Sequence, residues 1–238
     1  MATIFVGDVH GCRAELDALL QAVEFRPQND RLLLTGDAFS RGPDPLGVWQ
    51  LIERCSAEMV LGNHDARLLE HLRHWCAGRQ PACEQADHRR VLTALAPVAD
   101  SLLPWLEERP LCIEADRFVL VHAGINPEHG IRGTSRDEFL AIRLWPPARG
   151  TTGKRWHEAY TPEARPLIFG HDAPGGLVVR RDARNRPYLI GLDSGCVYGN
   201  QLSAYVLEED RIVQETCHQP GGYWSTGSAV GHAASQGP

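Results

Sequence analysis

Six residues with side chains that bind metals follow short apolar runs of this sequence, and a glycine stands near each of them. They are Asp8, His10, Asp37, Asn63, His122 and His171. Each run is typical of a strand, and ligands of α/β sheets gather at the carboxyl ends of the strands. Carboxylate, imidazole and amide groups together suit Mn, Fe, Co, Ni or Zn better than calcium. Two such ions that share one carboxylate form a clamp for phosphoryl transfer.

Each of these residues also has a structural interpretation when it is taken alone. An Asp after a strand, such as Asp37, is more often a turn former or a helix cap than a ligand. A single histidine, such as His122, is more often a hydrogen-bonded core residue. Five strand ends that each carry a metal-compatible residue are hard to obtain by chance, so the set as a whole favours a metal centre.

The elements that must position these residues alternate between strand and helix in the first half of the chain, which predicts βαβ units. The predicted strands are Thr3–Val6, Leu32–Thr35 and Met59–Leu61. The predicted helices are Arg13–Val23, Leu46–Arg54, Ala66–Trp75 and Val91–Glu107. Pro97 and Pro104 predict breaks in the last of these helices.

The second half of the chain consists of short strand candidates separated by Gly, Pro, Asp and Asn. They are Leu111–Ile113, Phe118–His122, Leu167–Phe169, Leu177–Arg180, Tyr188–Leu192, Ser203–Leu207 and Arg211–Gln214. Residues 126–166, rich in Arg, Gly and Pro, are predicted to be irregular. We expect one α/β domain over residues 1–217, with two facing mixed β-sheets. Residues 218–238 are predicted to form a flexible C-terminal tail.

Composition excludes several classes of protein. The chain has 238 residues, of which 43% are hydrophobic and 23% charged, as in an ordinary globular domain. The net charge of -6 and the absence of a basic block argue against a nucleic-acid-binding platform. No run is long and apolar enough to span a membrane, and we expect no membrane partner. Seven cysteines without a CxxC spacing and no visible signal peptide favour a cytoplasmic location.

The motifs, in their order along the chain, resemble those of the calcineurin-like metallophosphoesterases. They are Gly-Asp-Val-His-Gly, Gly-Asp-Ala-Phe-Ser-Arg-Gly, Gly-Asn-His-Asp, His-Ala-Gly and Gly-His. Within that family, the chain is similar to the phosphoprotein phosphatase superfamily. It resembles bacterial symmetrical diadenosine tetraphosphatases and the bacterial and phage Ser/Thr protein phosphatases. The resemblance implies an αββα fold, in which helices flank two facing mixed sheets.

The resemblance also implies two divalent transition-metal ions, with manganese expected and Fe, Co, Ni or Zn as alternatives. Asp8, His10 and Asp37 would hold the first ion, and Asp37 would bridge to the second. Asn63, His122 and His171 would complete the second site. A water between the ions, with its pKa lowered by them, would attack phosphorus directly without a covalent intermediate.

Further residues match positions that contact the substrate in the family. His64 would protonate or hydrogen-bond the leaving oxygen, and Arg41 would grip phosphate oxygens. Asn63 would contact phosphate as well as metal. Arg143 is the predicted second phosphate clamp, and its alternative is a surface arginine.

The chain departs from the protein phosphatases at two positions. Ser40 stands where those enzymes have an Asp that orients the catalytic His, so His64 lacks that partner. Leu61 stands where the eukaryotic enzymes have an arginine before Gly-Asn-His. Both departures favour the tetraphosphatases. Between Arg143 and Pro166, however, the chain lacks an insertion that the tetraphosphatases carry, and this favours the phosphatases.

The leading functional hypothesis is therefore the symmetrical hydrolysis of dinucleoside polyphosphates, such as diadenosine tetraphosphate, to ADP. The alternative is a Ser/Thr or dual-specificity protein phosphatase. A third, remote alternative is a protein-binding scaffold that has lost catalysis on this fold. The expected partner is accordingly a phosphorylated small molecule or a phosphoprotein.

Two cysteines and one helix face are weaker candidates for chemistry. Cys12 lies at a helix start, where a thiolate could be stabilised, yet packing is the favoured interpretation. Cys196 is expected to pack behind the strand that carries Asp193. His71, His74 and Cys76 lie close together on one predicted helix, and a solvated face is favoured there over a metal site.

Overall fold

The computed structural model describes residues 1–81, 83, 85–148 and 150–224. The strands are β1 (Thr3–Val6), β2 (Arg31–Leu34), β3 (Glu58–Met59), β4 (Cys112–Glu114), β5 (Val119–Val121), β6 (Leu167–Phe169), β7 (Val178–Arg181), β8 (Pro187–Gly191), β9 (Gln201–Val206) and β10 (Arg211–Thr216). The α-helices are α1 (Arg13–Ala22), α2 (Pro45–Cys55), α3 (Asn63–Cys76), α4 (Ala86–Leu95), α5 (Ala99–Glu107) and α6 (Arg136–Ala141).

The strands form two five-stranded mixed sheets. The first has the order β10-β9-β1-β2-β3, in which β1, β2 and β3 run parallel and β9 runs antiparallel to β1. The second has the order β4-β5-β6-β8-β7, with β5, β6 and β8 parallel and the two edge strands antiparallel to their neighbours. In each sheet, therefore, the carboxyl ends of three parallel strands share one edge.

The two sheets face each other through one side of their strands, as the alternation of side chains requires. Phe5 and Leu33 from the first sheet share a buried cluster with Leu120, Ile168 and Ile190 from the second. The neighbours of these residues along each strand point to the opposite face, against the outer layers of the domain. The predicted pair of facing mixed sheets is confirmed.

Helices cover the outer face of the first sheet, where Ile4 and Val6 pack in a large core cluster with residues of α1 to α5. On the outer face of the second sheet, the core contains Phe139 of α6 and Trp156 from the segment between α6 and β6. The order of layers is thus helix, sheet, sheet and a thinner helical layer.

Several predicted boundaries differ from the observed ones. The predicted helix Val91–Glu107 is two helices, α4 and α5, joined by a 3-10 turn at Ala96–Val98. Pro97 lies in that turn, where no helical N–H is needed, whereas α5 continues through Pro104. α3 begins at Asn63, earlier than the predicted Ala66, because the Asp65 carboxylate accepts a hydrogen bond from the N–H of Gly62 and so caps the first turn.

The stretch predicted to be irregular contains α6, whose start the sequence analysis missed. The Ser135 hydroxyl accepts a hydrogen bond from the N–H of Glu138, and the Glu138 carboxylate accepts one from the N–H of Ser135. This reciprocal pair is a sequence signal for a helix start, Ser-x-x-Glu, and it could have been recognised.

The chain after β10 folds back onto the domain. The N–H groups of Tyr223 and Trp224 donate to the carbonyl of Val197, at 2.9 and 3.0 Å. The flexible tail over 218–238 stays a prediction: residues 225–238 lie outside the described residues, and those before them make these contacts. Within the described residues, no helix has the length and apolar character needed to cross a membrane.

Candidate metal centre

The six predicted ligands meet at the shared edge of the two sheets. Asp8 follows β1, Asp37 follows β2 and Asn63 opens α3 just after β3, whereas His122 and His171 follow β5 and β6. The strand-end argument therefore places side chains from both sheets in one cleft, as expected for α/β folds. His10 reaches the same cleft from the turn before α1.

Asp37 is common to two groups of possible metal ligands. One group consists of Asp8, His10 and Asp37, and the other consists of Asp37, His122 and His171. Oδ2 of Asp37 lies 3.8 Å from Nε2 of His10 and 3.6 Å from Nε2 of His122. One carboxylate thus faces an imidazole on either side, as a carboxylate shared by two ions would require.

Asn63 belongs to the second of these groups by position. Its Oδ1 lies 3.1 Å from Nε2 of His122, which is also 3.2 Å from Nδ1 of His171. The other nitrogen of His122, Nδ1, donates to the carbonyl of Thr35 at 2.8 Å. That hydrogen bond fixes the tautomer and leaves Nε2 unprotonated, so that it could bind a metal ion.

Hydrogen bonds and a close backbone contact fix the position of the Asp8 carboxylate. The Thr35 hydroxyl donates to its Oδ1 at 2.8 Å, and the N–H of His171 lies 3.1 Å from both carboxylate oxygens. A Cβ on Gly170 would collide with Oδ1 of Asp8, so only glycine allows this approach. The end of β6 is thereby positioned against Asp8, the first of the predicted ligands.

Asp65 organises the loop that carries Asp37, although the sequence analysis gave it no role. Its buried carboxylate accepts hydrogen bonds from the N–H groups of Asp37 at 2.6 Å, Ala38 at 3.1 Å and Gly62 at 3.2 Å. Asp37 itself accepts a bond from the N–H of His64 at 2.8 Å. The loops after β2 and β3 are therefore tied together beneath the ligands.

The carboxylates of the centre repel one another. Burial, together with the charges of Asp193 and Asp37, raises the pKa of Asp8 well above its ordinary value. Burial raises the pKa of Asp37 to about 6, and burial with the charge of Asp37 raises the pKa of Asp65 to about 7. Negative charge gathered in a buried cleft is stabilised by cations.

The histidines are held neutral, which is the form that binds metals. Burial lowers the pKa of His122 to about 4, and burial followed by the charge of Arg41 lowers that of His10. Burial also lowers the pKa of His171, whose Nε2 is buried and has no hydrogen-bond partner in the described part of the chain. Unpaired imidazole nitrogen beside carboxylates fits divalent transition-metal ions.

Arg41 and His64 stand at the mouth of this centre. One guanidinium nitrogen of Arg41 lies 2.8 Å from Nε2 of His64, and the other lies 3.0 Å from Nε2 of His10. Because a guanidinium only donates, both imidazole nitrogens accept here. Burial, then the charge of Arg41, lowers the pKa of His64 to about 2.

Arg143 reaches the same cleft from the segment after α6. Its guanidinium donates to the carbonyl of His171 at 3.1 Å, and its Nε lies 3.8 Å from the Asp172 carboxylate. Asp172 is held in turn by Arg155, at 2.7 Å. The predicted clamp residue is thus part of the cleft wall, supported by an acid that the sequence analysis did not identify.

A cavity of about 400 Å³ lies over the centre. Its walls include the predicted residues His10, Asp37, Arg41, Asn63, His64, Arg143 and His171. Asp193 and Tyr198 also line it and were not predicted as site residues. Asp193 follows β8, and burial raises its pKa to about 7. The signal that could have identified it is the strand-end rule that found the others.

The weaker candidates lie elsewhere. His71 packs against His88, with ring centroids 5.2 Å apart, and both are outside the cavity over the centre. Cys76, on the same helix as His71, is exposed. His157, in the segment predicted to be irregular, is buried against Trp156 and Phe169.

Comparisons with known proteins agree with this geometry. The symmetrical bis(5'-nucleosyl)-tetraphosphatase of Salmonella paratyphi C (strain RKS4594) is 45% identical over 134 residues, which span 54% of this chain and 45% of that protein. The chain thus aligns with less than half the length of this curated relative. The enzyme of the same name from Methylobacillus flagellatus is 29% identical over 93% of this chain and 98% of its own.

Solved structures share the fold. The crystal structure of a candidate diadenosine tetraphosphatase is 34% identical, with a TM-score of 0.71 over 90% of this chain and 93% of that one. A protein serine/threonine phosphatase from Saccharomyces cerevisiae has a TM-score of 0.55 and 13% identity, over 91% and 79% of the two chains, and is similar in fold alone. The profile of the calcineurin-like phosphoesterases matches residues 1–212. The chain belongs to the calcineurin-like phosphoesterase family.

Proposed function

We propose that this protein is a phosphoesterase with two divalent metal ions that hydrolyses dinucleoside polyphosphates symmetrically, releasing ADP from diadenosine tetraphosphate. The observation that carries the proposal is the position of Asp37 between two groups of ligands, under a cavity lined by Arg41, His64 and Arg143. Asp8, His10 and Asp37 would hold one ion, and Asp37, Asn63, His122 and His171 the other. Manganese is the expected metal.

Bound ions would lower the pKa of a shared water and neutralise charge on the phosphoryl oxygens. The residues of the chain supply the remaining steps. Arg41 and Arg143 grip phosphate oxygens on two sides of the cleft, because a guanidinium matches phosphate geometry. Asn63 adds an amide N–H to the same phosphate. His64 hydrogen-bonds the leaving oxygen and gives it a proton.

Protonation of the leaving oxygen by His64 requires that its imidazole be released from its present contacts. Its Nε2 accepts from Arg41 at 2.8 Å. When Arg41 turns to a phosphate, Nε2 of His64 loses this donor and the part of its lowered pKa that comes from the charge of Arg41, which is second to burial, is relieved. His64 would then take its proton from solvent before it gives one to the leaving oxygen.

The choice of a dinucleotide rests on the named relatives and on the cavity itself. One symmetrical bis(5'-nucleosyl)-tetraphosphatase matches this chain along 93% of its length at 29% identity. Another matches 54% of the chain at 45% identity. Beside the arginines, the cavity has an aromatic wall in Tyr198 and an apolar one in Ala173 and Pro174. A polyphosphate with a planar base at each end would use both kinds of surface.

The test is product analysis with manganese-loaded protein. Diadenosine tetraphosphate and a phosphothreonine peptide are incubated separately, in water enriched in oxygen-18. We expect two ADP molecules from the dinucleotide, one of them labelled, because direct attack on an inner phosphorus adds one water oxygen. AMP with ATP would contradict symmetric cleavage. Phosphate released from the peptide, with the dinucleotide left untouched, would assign the protein to the phosphatases. The matched control is the Asp37→Asn variant under the same conditions.

A further inference from the structure

A second group of metal-binding side chains lies behind the start of α1 and shares no residue with the centre described above. Cys12, Glu15 and Cys196 are all buried, and one donor atom from each lies within 4.8 Å of the others. Cys12 precedes α1, Glu15 is in its first turn, and Cys196 opens the 3-10 turn between β8 and β9. Distant parts of the chain thus place two thiols and a carboxylate together.

A third thiol lies next to this group. Cys217 directly follows β10, is buried, and its thiol contacts that of Cys196. The Cys217 thiol also donates to the carbonyl of Gln219 at 3.4 Å, and its N–H donates to the carbonyl of Asn200 at 2.8 Å. The backbone of Cys217 is therefore fixed beside the group, and its thiol next to that of Cys196 offers a fourth donor.

Glu15 gives an independent reason to look for a cation here. Its side chain is fully buried, with 0% exposure. Oε1 accepts hydrogen bonds from the N–H of His218 at 2.8 Å and the hydroxyl of Tyr223 at 2.9 Å. Oε2 is buried and has no partner among the described residues. A buried carboxylate oxygen without a donor costs free energy that a metal ion removes.

We propose that Cys12, Glu15, Cys196 and Cys217 form a structural Zn²⁺ site. Zinc takes four ligands in a tetrahedron and accepts thiolate and carboxylate together, whereas calcium and magnesium prefer oxygen alone. As each Zn–S bond forms, the thiol releases its proton to solvent, and no electron is transferred. Four protein donors leave no open position, so the ion has a structural role and does not act on substrate.

Such a site would stabilise the loops that carry the catalytic centre. Cys12 is two residues after His10, and Cys196 is three residues after Asp193. One ion would join the turn before α1 to the turn after β8 and to the chain after β10. Because Glu15 also holds His218 and Tyr223, the same site anchors the end of the described chain.

Cobalt binding tests this proposal without depending on catalysis. Co²⁺ bound to thiolates gives a sulfur-to-metal charge-transfer band in the near ultraviolet, which a site of Asp, His and Asn cannot give. Metal-stripped, reduced protein is titrated with CoCl₂ and then with ZnCl₂. We expect the band to reach the intensity of one thiolate-bound Co²⁺ per chain, whatever amount of Co²⁺ the other centre takes up, and to disappear as Zn²⁺ displaces it. The band should persist in Asp37→Asn, where the other centre is damaged.

Substitutions within the site separate binding from folding. Cys196→Ser should abolish the band, whereas Cys217→Ser and Glu15→Gln should weaken Co²⁺ binding at least tenfold. Circular dichroism checks that each variant is folded, and Cys55→Ser, which removes a buried free cysteine outside the group, is the control that keeps the band. Absence of the band in folded, reduced wild-type protein would overturn the proposal. So would its persistence in Cys196→Ser. A disulfide between Cys12 and Cys196 in protein purified without reductant, with no bound zinc, would also overturn it.

Discussion

The Ser40 hydroxyl lies 2.8 Å from Nδ1 of His10, on the side of the ring opposite to Asp37. Ser40 stands where the protein phosphatases of this family have an acid that orients the catalytic histidine. Here the residue at that position supports His10, a proposed metal ligand, and His64 takes its contact from Arg41. The serine at this position therefore holds the imidazole of His10 and not that of His64. Ser40 and His64 can accordingly be tested by separate substitutions.

Ser40→Ala should weaken metal binding more than it weakens the chemical step. Without the hydroxyl, the His10 ring loses the hydrogen bond that fixes its orientation and tautomer, and loss of such a bond costs roughly 10- to 100-fold in metal affinity. The measurement is activity as a function of Mn²⁺ concentration. We expect a higher half-saturating concentration and a nearly unchanged rate at saturation. Ser101→Ala, which removes an exposed hydroxyl, is the control.

Asp37→Asn should lower turnover by orders of magnitude and leave the metal-free fold intact. The amide oxygen can still accept from the N–H of His64, whereas the amide loses the charge that two cations would share. Because burial raises the pKa of Asp37 to about 6, its charge already destabilises the metal-free protein near neutral pH. The melting temperature without metal should therefore not fall. Near wild-type activity in this variant would refute the shared-ligand assignment.

Much of this site follows from local sequence because five of the six proposed ligands come shortly after a strand, and His10 lies in the turn between β1 and α1. Short apolar runs around Phe5 and Leu33 predict strands, and the strand-end rule then brings Asp8 and Asp37 to one edge. Element ends were less accurate: the sequence analysis started α3 at Ala66, whereas it begins at Asn63. There the hydrogen bond from the N–H of Gly62 to the Asp65 carboxylate sets the start of the helix, and apolar spacing does not indicate it.

The contacts between loops could not be predicted in the same way. Asp65 was visible in the motif after β3, yet its function is to bind backbone N–H groups of the loop after β2, which is known only once the loops meet. Cys12 and Cys196 were predicted to pack separately, because nothing in either local pattern indicates that their thiols adjoin. Sequence patterns thus predict which face of an element a residue lies on better than they predict which distant residue it contacts.

His64→Ala should cost most activity with poor leaving groups. An alkoxide leaving group needs a proton as the bond to phosphorus breaks, whereas nitrophenolate leaves without one. We expect a loss of roughly 10²- to 10⁴-fold on a phosphothreonine peptide, the range typical of general acids, and a much smaller loss on nitrophenyl phosphate. Rates with both substrates under saturating Mn²⁺ provide the comparison. Equal losses would exclude His64 as the acid and leave it a phosphate contact.

His157 should make the domain less stable in mild acid, independently of the metal centre. Burial and then the charge of Arg180 lower the pKa of His157 from 6.5 to about 4. Between pH 6.5 and 4, His157 binds a proton in the unfolded chain but not in the folded one. The free energy of unfolding therefore falls as pH decreases from 6.5 to 4. Above 6.5, the imidazole is neutral in both states and contributes no slope.

The measurement is urea unfolding of metal-stripped protein at several values between pH 7 and 4, for wild type and His157→Phe. A phenyl ring keeps the contacts with Trp156 and Phe169 and cannot titrate, so the other acid-sensitive groups are common to both proteins. The free energy of unfolding should fall more steeply with decreasing pH in wild type than in the variant. Above the ordinary pKa of histidine the two slopes should be equal. Parallel curves over the whole range would show that the buried ring accepts its proton in the folded state as readily as in the unfolded one.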